Sequence, residues 1–354
     1  MQNRRSVMSR FAALALLLLG IPGALAGAVR PQAAAGASRL FVANVDSDTV
    51  TEYVSPSTKP ITIRKGINAP EALALDASGD LFVANCGEPC GGRGRGEVTE
   101  YAPPYTGTPI TIVVGVDVPE AVALDASGDL FVANSSTITE YRPPYTAAPA
   151  ATIGNGWGAS HALVITKSSN LLVANCDLGC MEGHDPGTVT VFTPPYAGTA
   201  ATIVNGIKYP EALALDSSAD LFVENARTVM EYTPPYTGTP TTVSTGEIGG
   251  GIALDGKDNL FIAKCISSCA ANRRDAVLLY APPYTSAPRI IRKCIRDPLA
   301  ITLDAVGNLF VAEDGSECGG RGTGEVTEYA PPYTGAPTTI SNGVNHPVAL
   351  LVTR

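Results

Sequence analysis

This chain is short of charge, short of aromatic residues and without any helical pattern. Charged side chains make up 16% of its 354 residues and aromatics 6%, with three histidines and a single tryptophan, so a site built on imidazole or indole has few candidates. Beyond residue 26 no stretch repeats apolar residues at helical spacing, which excludes helical bundles and alternating α/β folds. The nucleophile and zinc motifs GxSxG and HExxH do not occur. Two glycine-rich runs, Gly91–Gly96 and Gly319–Gly324, lack the Lys and the following helix of a phosphate loop and read as flexible loop tips. The DASGD segments lack the Asp-rich spacing and distal Glu of a calcium loop. Basic residues are also scarce: without Arg4, Arg5 and Arg10 of the leading segment, 21 Lys and Arg face 33 Asp and Glu, and the net charge of −9 becomes −12. Such an acidic surface disfavours nucleic acid and anionic lipid as partners.

Residues 1–26 carry a basic start, an apolar run from Phe11 to Leu19, a break at Gly20–Gly23 and Ala24-Leu25-Ala26. This is the pattern of a signal peptide cleaved before Gly27. A membrane anchor would need about 18 continuous apolar residues, and Pro22 and Gly23 interrupt the run, so no stable anchor is expected. Arg4-Arg5 resembles a twin-arginine signal, but the strong apolar run favours the general export route. Residues 27–38 are an Ala/Gly-rich linker. The expected location is secreted, periplasmic or cell-surface.

The rest of the chain is repetitive. The stretch Pro70–Asn85, PEALALDASGDLFVAN, returns at Pro119–Asn134 and, altered, at four further places. Each copy divides into four strand-like pieces: in the second, A (Ala72–Leu75), B (Leu81–Ala84), C (Val98–Tyr101) and D (Ile110–Val114). Between A and B, Asp76–Asp80 is a turn in which Asp accepts backbone N–H bonds and Gly supplies positive φ. Between C and D, Pro103-Pro104-Tyr105 stops strand C.

Strand B begins seven times, at Leu40, Leu81, Leu130, Leu171, Leu221, Leu260 and Leu309, in steps of 41, 49, 41, 50, 39 and 49 residues. Strand A precedes only six of these. The seventh, Pro347–Val352, stands at the other end of the chain and completes the blade begun by Arg39–Ile63. The expected fold is therefore all-β: a seven-bladed β-propeller of four-stranded blades over residues 39–354, closed by its two ends. Within Ala72–Leu75 large and small residues alternate, so the Leu side of one blade can nest on the Ala side of the next. The extra length of the long repeats falls between B and C, which makes one face a uniform rim and the other a set of dissimilar loops. Ligands are expected on the varied face.

The succession PEALALD, SGDLFVAN and EVTEY resembles the NHL repeat, across residues 39–354. It departs from that pattern before the third strand, where the usual Asn-Arg is missing and Asn272-Arg273 is the nearest trace. The resemblance implies a propeller that serves as scaffold, ligand binder or enzyme. Two enzyme groups among such propellers are the streptogramin lyases, with a divalent metal and a His/Glu pair, and calcium-dependent lactonases. Neither group's site motif stands in this sequence.

Eight cysteines in an exported chain point to disulfides. Three CxxxC pairs predict Cys86–Cys90, Cys176–Cys180 and Cys265–Cys269, all in loops of the varied face. Cys318 aligns with Cys90 but has Asp314 where its local partner would be, which predicts Cys294–Cys318. Pairs on separate blades do not supply the clustered thiolates of a metal site.

Strands A line the central channel, so the residue just before each is informative. In blade order these are Val348, Glu71, Glu120, His161, Glu211, Gly250 and Leu299. Three Glu and one His on four consecutive blades suit a divalent cation, Mg²⁺, Mn²⁺ or Ca²⁺, and a His beside carboxylates suits a general base. A channel rim that is polar simply because it is wet would look the same. Strand parity puts each Glu on the side of the following Leu, toward the next blade. Trp157, just before His161, offers a stacking surface for a sugar or flat ligand or fills a packing gap. His184 lies in the blade 4 loop with Glu182 and Asp185. The expected function is a non-catalytic binding or scaffold module for a protein, small-molecule or carbohydrate ligand, acting as a monomer; the alternative is a metal-dependent lyase or lactonase using Glu71, Glu120, His161 and Glu211.

Overall fold

Seven four-stranded antiparallel sheets follow one another along the chain, each with the order A-B-C-D from channel to rim. A computed structural model describes residues 38–55, 59–87, 96–135, 137–145, 148–154, 159–176, 187–196, 200–225, 227–246, 249–264, 276–293, 295, 297–314 and 324–353. Blade 1 combines Pro347–Val352 with Arg39–Asn44, Thr49–Val54 and Ile61–Ile63. Blades 2 to 7 begin at Pro70, Ala121, Ala159, Pro210, Ile252 and Pro298. Among the described residues the only helical segment is one 3₁₀ turn, Val45–Ser47, and no helix is long and apolar enough to cross a membrane.

Ring closure is as the unpaired seventh strand A requires. Leu40–Asn44 pairs with Pro347–Val352, Thr353 N–H donates to the Arg39 carbonyl at 2.9 Å, and Asn345 N–H donates to Asn44 Oδ1 at 3.0 Å. The two ends of the chain thus cover the edges that an open sheet would leave bare.

The core lies in the seams between blades. In the seam of blades 3 and 4, Leu163, Leu171 and Val173 pack with Ala121, Ala123, Phe131 and Ala133, the nesting of large on small that the alternating pattern implies. The A-to-B turns are built by side-chain acceptance: Asp76 Oδ1 takes the N–H of Ser78 and Asp80 at 2.8 and 2.7 Å. Asp125, Asp216, Asp255 and Asp304 repeat this, and in blade 4 Thr166 Oγ1 replaces them.

The Pro-Pro-Tyr corners are staples between blades. All six Pro-Pro bonds are cis, and each following Tyr has positive φ. The Tyr105 hydroxyl donates to the Gly79 carbonyl of its own blade at 2.8 Å, while its ring meets Phe41 of the preceding blade edge-on at 5.2 Å. Four further seams repeat the aromatic contact; in the remaining corner Tyr236 packs beside the cluster containing Leu172, which stands where the others have Phe. The regularity of these corners is therefore structural. Tyr105→Phe keeps the ring contact and removes only the hydrogen bond, so a loss of about 1 kcal/mol is expected in urea unfolding; an unchanged midpoint would show that the bond carries no net stability.

Candidate functional site

A proline opens strand A in four blades and stands two residues ahead of it in blade 3, and the residue before it is left-handed: Ala69, Val118, Tyr209, Asp297 and His346 have φ of 45–53°. Because Asp297 and His346 precede no Glu, this conformation belongs to the architecture rather than to any one site. In blade 2, strand B holds the lead-in, with Asn85 Oδ1 accepting the Asn68 N–H at 3.0 Å.

In blades 2, 4, 5 and 7 strand A begins earlier than the apolar pattern suggests, and the informative residue falls inside it at a bulge. Pairing shifts between Pro70 and Ala72, Ser160 and Ala162, Pro210 and Ala212, and Pro298 and Ala300, leaving Glu71, His161, Glu211 and Leu299 as the extra residue. In blade 1 Val348 is the residue skipped between Pro347 and Ala349. In blade 3 the Glu120 N–H donates to the carbonyl of Ala133, the residue that Ala121 already faces. A bulge adds one residue against an unbroken partner strand, so strict alternation fails there and the side chain is re-aimed. Strand parity is for that reason no guide at these positions.

Two pairs result. His161 Nδ1 lies 2.9 Å from Glu120 Oε2 across the seam of blades 3 and 4, with side-chain exposures of 1% and 12%. The approach is close without the alignment of a good hydrogen bond. The His161 ring also meets Tyr209 of blade 5, with centroids 5.8 Å apart. The second pair was not anticipated: Glu211 acts on Glu224 of strand B, whose register partner is Ala212, immediately beside the bulge. Glu224 is fully buried. Desolvation, then the Glu211 charge, push its pKa well above the ordinary carboxylate value, against a smaller opposing pull from the Gly251 N–H.

Glu224 was legible in principle. The fourth residue of strand B, counted from its leading Leu, is Ala43, Ala84, Ala133, Ala174, Ala263 and Ala312 in the other six blades, and only blade 5 has Glu. Its surroundings depart as well: the Pro-Glu lead-in of blades 2, 3 and 5 is replaced by Gly249-Gly250-Gly251 in blade 6. A Cβ on Gly250 would stand 2.8 Å from both Ala263 Cβ and Pro298 Cγ, so only glycine fits. A Cβ on Gly249 would lie 3.6 Å from Glu211 Oε2, which places that carboxylate against the glycine run. On the flank of the same seam a groove of about 580 Å³ is lined by Thr242, Ser244, Lys264, Tyr280 and Thr285, among others. Lys264 donates to the Thr245 carbonyl, and burial lowers its pKa.

Glu71 is buried, at 9% exposure, on the bulge of blade 2. Among the described residues no three His, Cys, Asp or Glu side chains come together as a metal-holding group. Of the four expected residues, Glu120 and His161 are two that the structure brings into contact. Trp157, His184, Cys90, Cys180, Cys265, Cys269, Cys294 and Cys318 lie outside the described residues, as do the leading segment 1–26 and all but Ser38 of the linker. Cys86 and Cys176 are described, and both are buried where strand B ends.

These features define the chain as a seven-bladed β-propeller with paired ionisable side chains near one mouth of its channel. No family profile and no curated protein matches the sequence. Solved structures do match in fold. A Lactobacillus plantarum protein is 16% identical at TM-score 0.65, covering 90% of this chain and all of its own. A Bacteroides fragilis protein, named as a candidate 6-phosphogluconolactonase, is 15% identical at 0.64, covering 92% and 100%. Virginiamycin B lyase from Staphylococcus aureus is 11% identical at 0.56, covering 78% and 85%. At such identities the likeness concerns the fold.

Proposed function

We propose that this chain is an exported, monomeric binding module of the NHL-repeat type whose ligand docks at the channel mouth on the varied face. One observation carries the reading: consecutive bulges bring Glu120 to His161 and Glu211 to Glu224 at that mouth. Burying ionisable groups costs stability unless they are well satisfied, and a purely structural channel gains nothing from them. The acidic balance favours a ligand carrying positive charge or hydrogen-bond donors, a small molecule, a carbohydrate or a protein segment, over nucleic acid. Export rests on the basic and apolar pattern of residues 1–26. The four disulfides are part of the same proposal; supporting the first two, Cys86 and Cys176 are both buried, as the bridges require.

The second reading is a lyase or lactonase dependent on Mg²⁺, Mn²⁺ or Ca²⁺. Its support is the Glu120–His161 contact, the arrangement a general base requires, together with the shared fold of the lyase and the candidate lactonase. Thermal unfolding with and without each cation, on the wild type and Glu120→Gln, separates the two. The binding-module reading expects no cation-dependent rise in Tm in either protein. A rise in the wild type that Glu120→Gln abolishes would overturn it in favour of the metal enzyme.

A further inference from the structure

Repeated copies of one unit show how a seam is closed on its outer side, and the flank between blades 5 and 6 departs from that pattern. Elsewhere the Tyr that ends strand C reaches the link running from strand D of the preceding blade to the next strand A. Tyr53 donates to the Asn342 carbonyl at 2.6 Å and Tyr101 to the Lys65 carbonyl at 2.8 Å. The glycine after that carbonyl then sits on the proline before strand D of the adjoining blade. A Cβ on Gly343 would lie 3.0 Å from Pro60 Cγ, and one on Gly66 3.1 Å from Pro109 Cγ. Between blades 5 and 6 the corresponding carbonyl, that of Thr245, accepts from Lys264 instead. Tyr280 turns to the Ser244 hydroxyl at 3.2 Å, and beside Gly246 the nearest described atom is Lys264 Nζ rather than any of Pro288. Lys264 stands where blades 1 to 5 have Asn, and Leu278 where blades 1 to 4 have the Thr that this Asn engages.

Where the seam is left unclosed lies the groove of about 580 Å³, the size of an ordinary small-molecule pocket. One wall is the outermost strand of blade 5, with Thr242 and Ser244; the other is the corner of blade 6, with Tyr284 and Thr285. Hydroxyls both donate and accept, so these walls match a ligand with hydroxyls of its own. Lys264 is the single charged residue in the described lining, and no Asp or Glu is among it. Thr245 occupies one of the three ammonium N–H groups, and none of the ion pairs among the described residues includes Lys264. The charge of the blade agrees. Residues 249–297 carry eight Lys and Arg against four Asp and Glu, whereas the rest of the chain beyond residue 26 carries 13 against 29. Three of the eight stand on the outermost strand of blade 6, Arg289–Lys293.

We propose that this groove is a second ligand site, for an acidic saccharide: a mono- or disaccharide that bears a carboxylate, such as a uronate. The carboxylate meets the remaining N–H groups of Lys264, the sugar hydroxyls bond to Thr242, Ser244 and Thr285, and the C–H face of the ring packs on Leu278 and Tyr280. The site goes beyond the channel mouth and does not depend on it. It lies toward the outer edge of the blades, where the mouth lies at the inner edge, and it selects the opposite charge.

The test is an NMR titration of the full chain with digalacturonate and with the neutral disaccharide maltose, on the wild type, Lys264→Met and Thr242→Trp. The wild type is expected to bind digalacturonate at least about tenfold more tightly than maltose, the worth of one charge-assisted hydrogen bond. Lys264→Met keeps the side-chain stem and removes the ammonium, and should weaken digalacturonate by about tenfold or more. Thr242→Trp fills the groove from an exposed position and should weaken it as well. Should Lys264→Met fail to fold, Thr242→Trp decides the place and the maltose comparison decides the charge. Three results overturn the proposal: no binding of digalacturonate to the wild type, binding that neither variant weakens, or maltose bound as tightly as digalacturonate. Each leaves the reading of the channel mouth standing, since none of these residues belongs to it.

Discussion

Glu224→Ala is expected to destabilise the protein in acid and to become progressively less harmful, then stabilising, as pH rises. In acid the side chain is neutral, and the variant loses the burial of one methylene, roughly 0.8 kcal/mol, and of the neutral carboxyl, plus the cost of any cavity that fails to collapse. The folded-state pKa of Glu224 lies above its unfolded value near 4.5. The folded state therefore holds the proton more tightly. That contribution is complete below the unfolded pKa and is lost as pH climbs through the folded one. Across this window the wild type weakens relative to the variant by up to about 1.4 kcal/mol per pH unit. Urea unfolding of wild type, Glu224→Ala and the near-isosteric Glu224→Gln at several pH values provides the measurement. A wild-type-to-variant difference that stays constant across pH would remove the buried-acid account. Alanine is what six blades already carry at this place, so a glutamate that costs stability there marks a feature kept for something other than the fold.

Deleting Pro347–Arg354 is expected to abolish the folded state. The strand it removes buries Val348, Leu350 and Leu351 almost completely and supplies the whole inner edge of blade 1. At roughly 1.5–3 kcal/mol for each such side chain, these three alone contribute up to about 9 kcal/mol. That is an upper figure, because unfolded chains bury some surface too, yet it compares with the entire 5–15 kcal/mol stability of a typical domain. The deletion also bares the edge of Arg39–Asn44, an invitation to aggregate. A soluble, cooperatively unfolding truncated protein would contradict closure by the two ends.

The deletion follows from counting strands, whereas the Glu224 result needed the coordinates. Seven strand B starts against six preceding strands A, with a seventh at the far end, force the closure before any coordinate is known. The A-to-B turns were equally legible, since Asp76 reaches N–H groups only two and four residues away. Leu on Ala across each seam was legible because side chains alternate faithfully along an unbroken strand. The same alternation misleads at Glu71, His161 and Glu211, where a bulge interrupts it. Placing Glu120 and Glu211 near the channel was a matter of repeat alignment; pairing Glu120 with His161, and Glu211 with Glu224, was not. The departure of Glu224 from alanine is present in the sequence LFVEN, within an otherwise apolar strand.

The sequence by itself determined the blade, the number of blades and the way the ring closes, because these rest on short-range turn chemistry, two-residue alternation and repeat count. Tertiary structure alone decided which ionisable groups meet. Those contacts depend on bulges that re-aim side chains, and on seam spacing that lets one blade's glycines receive another blade's carboxylates.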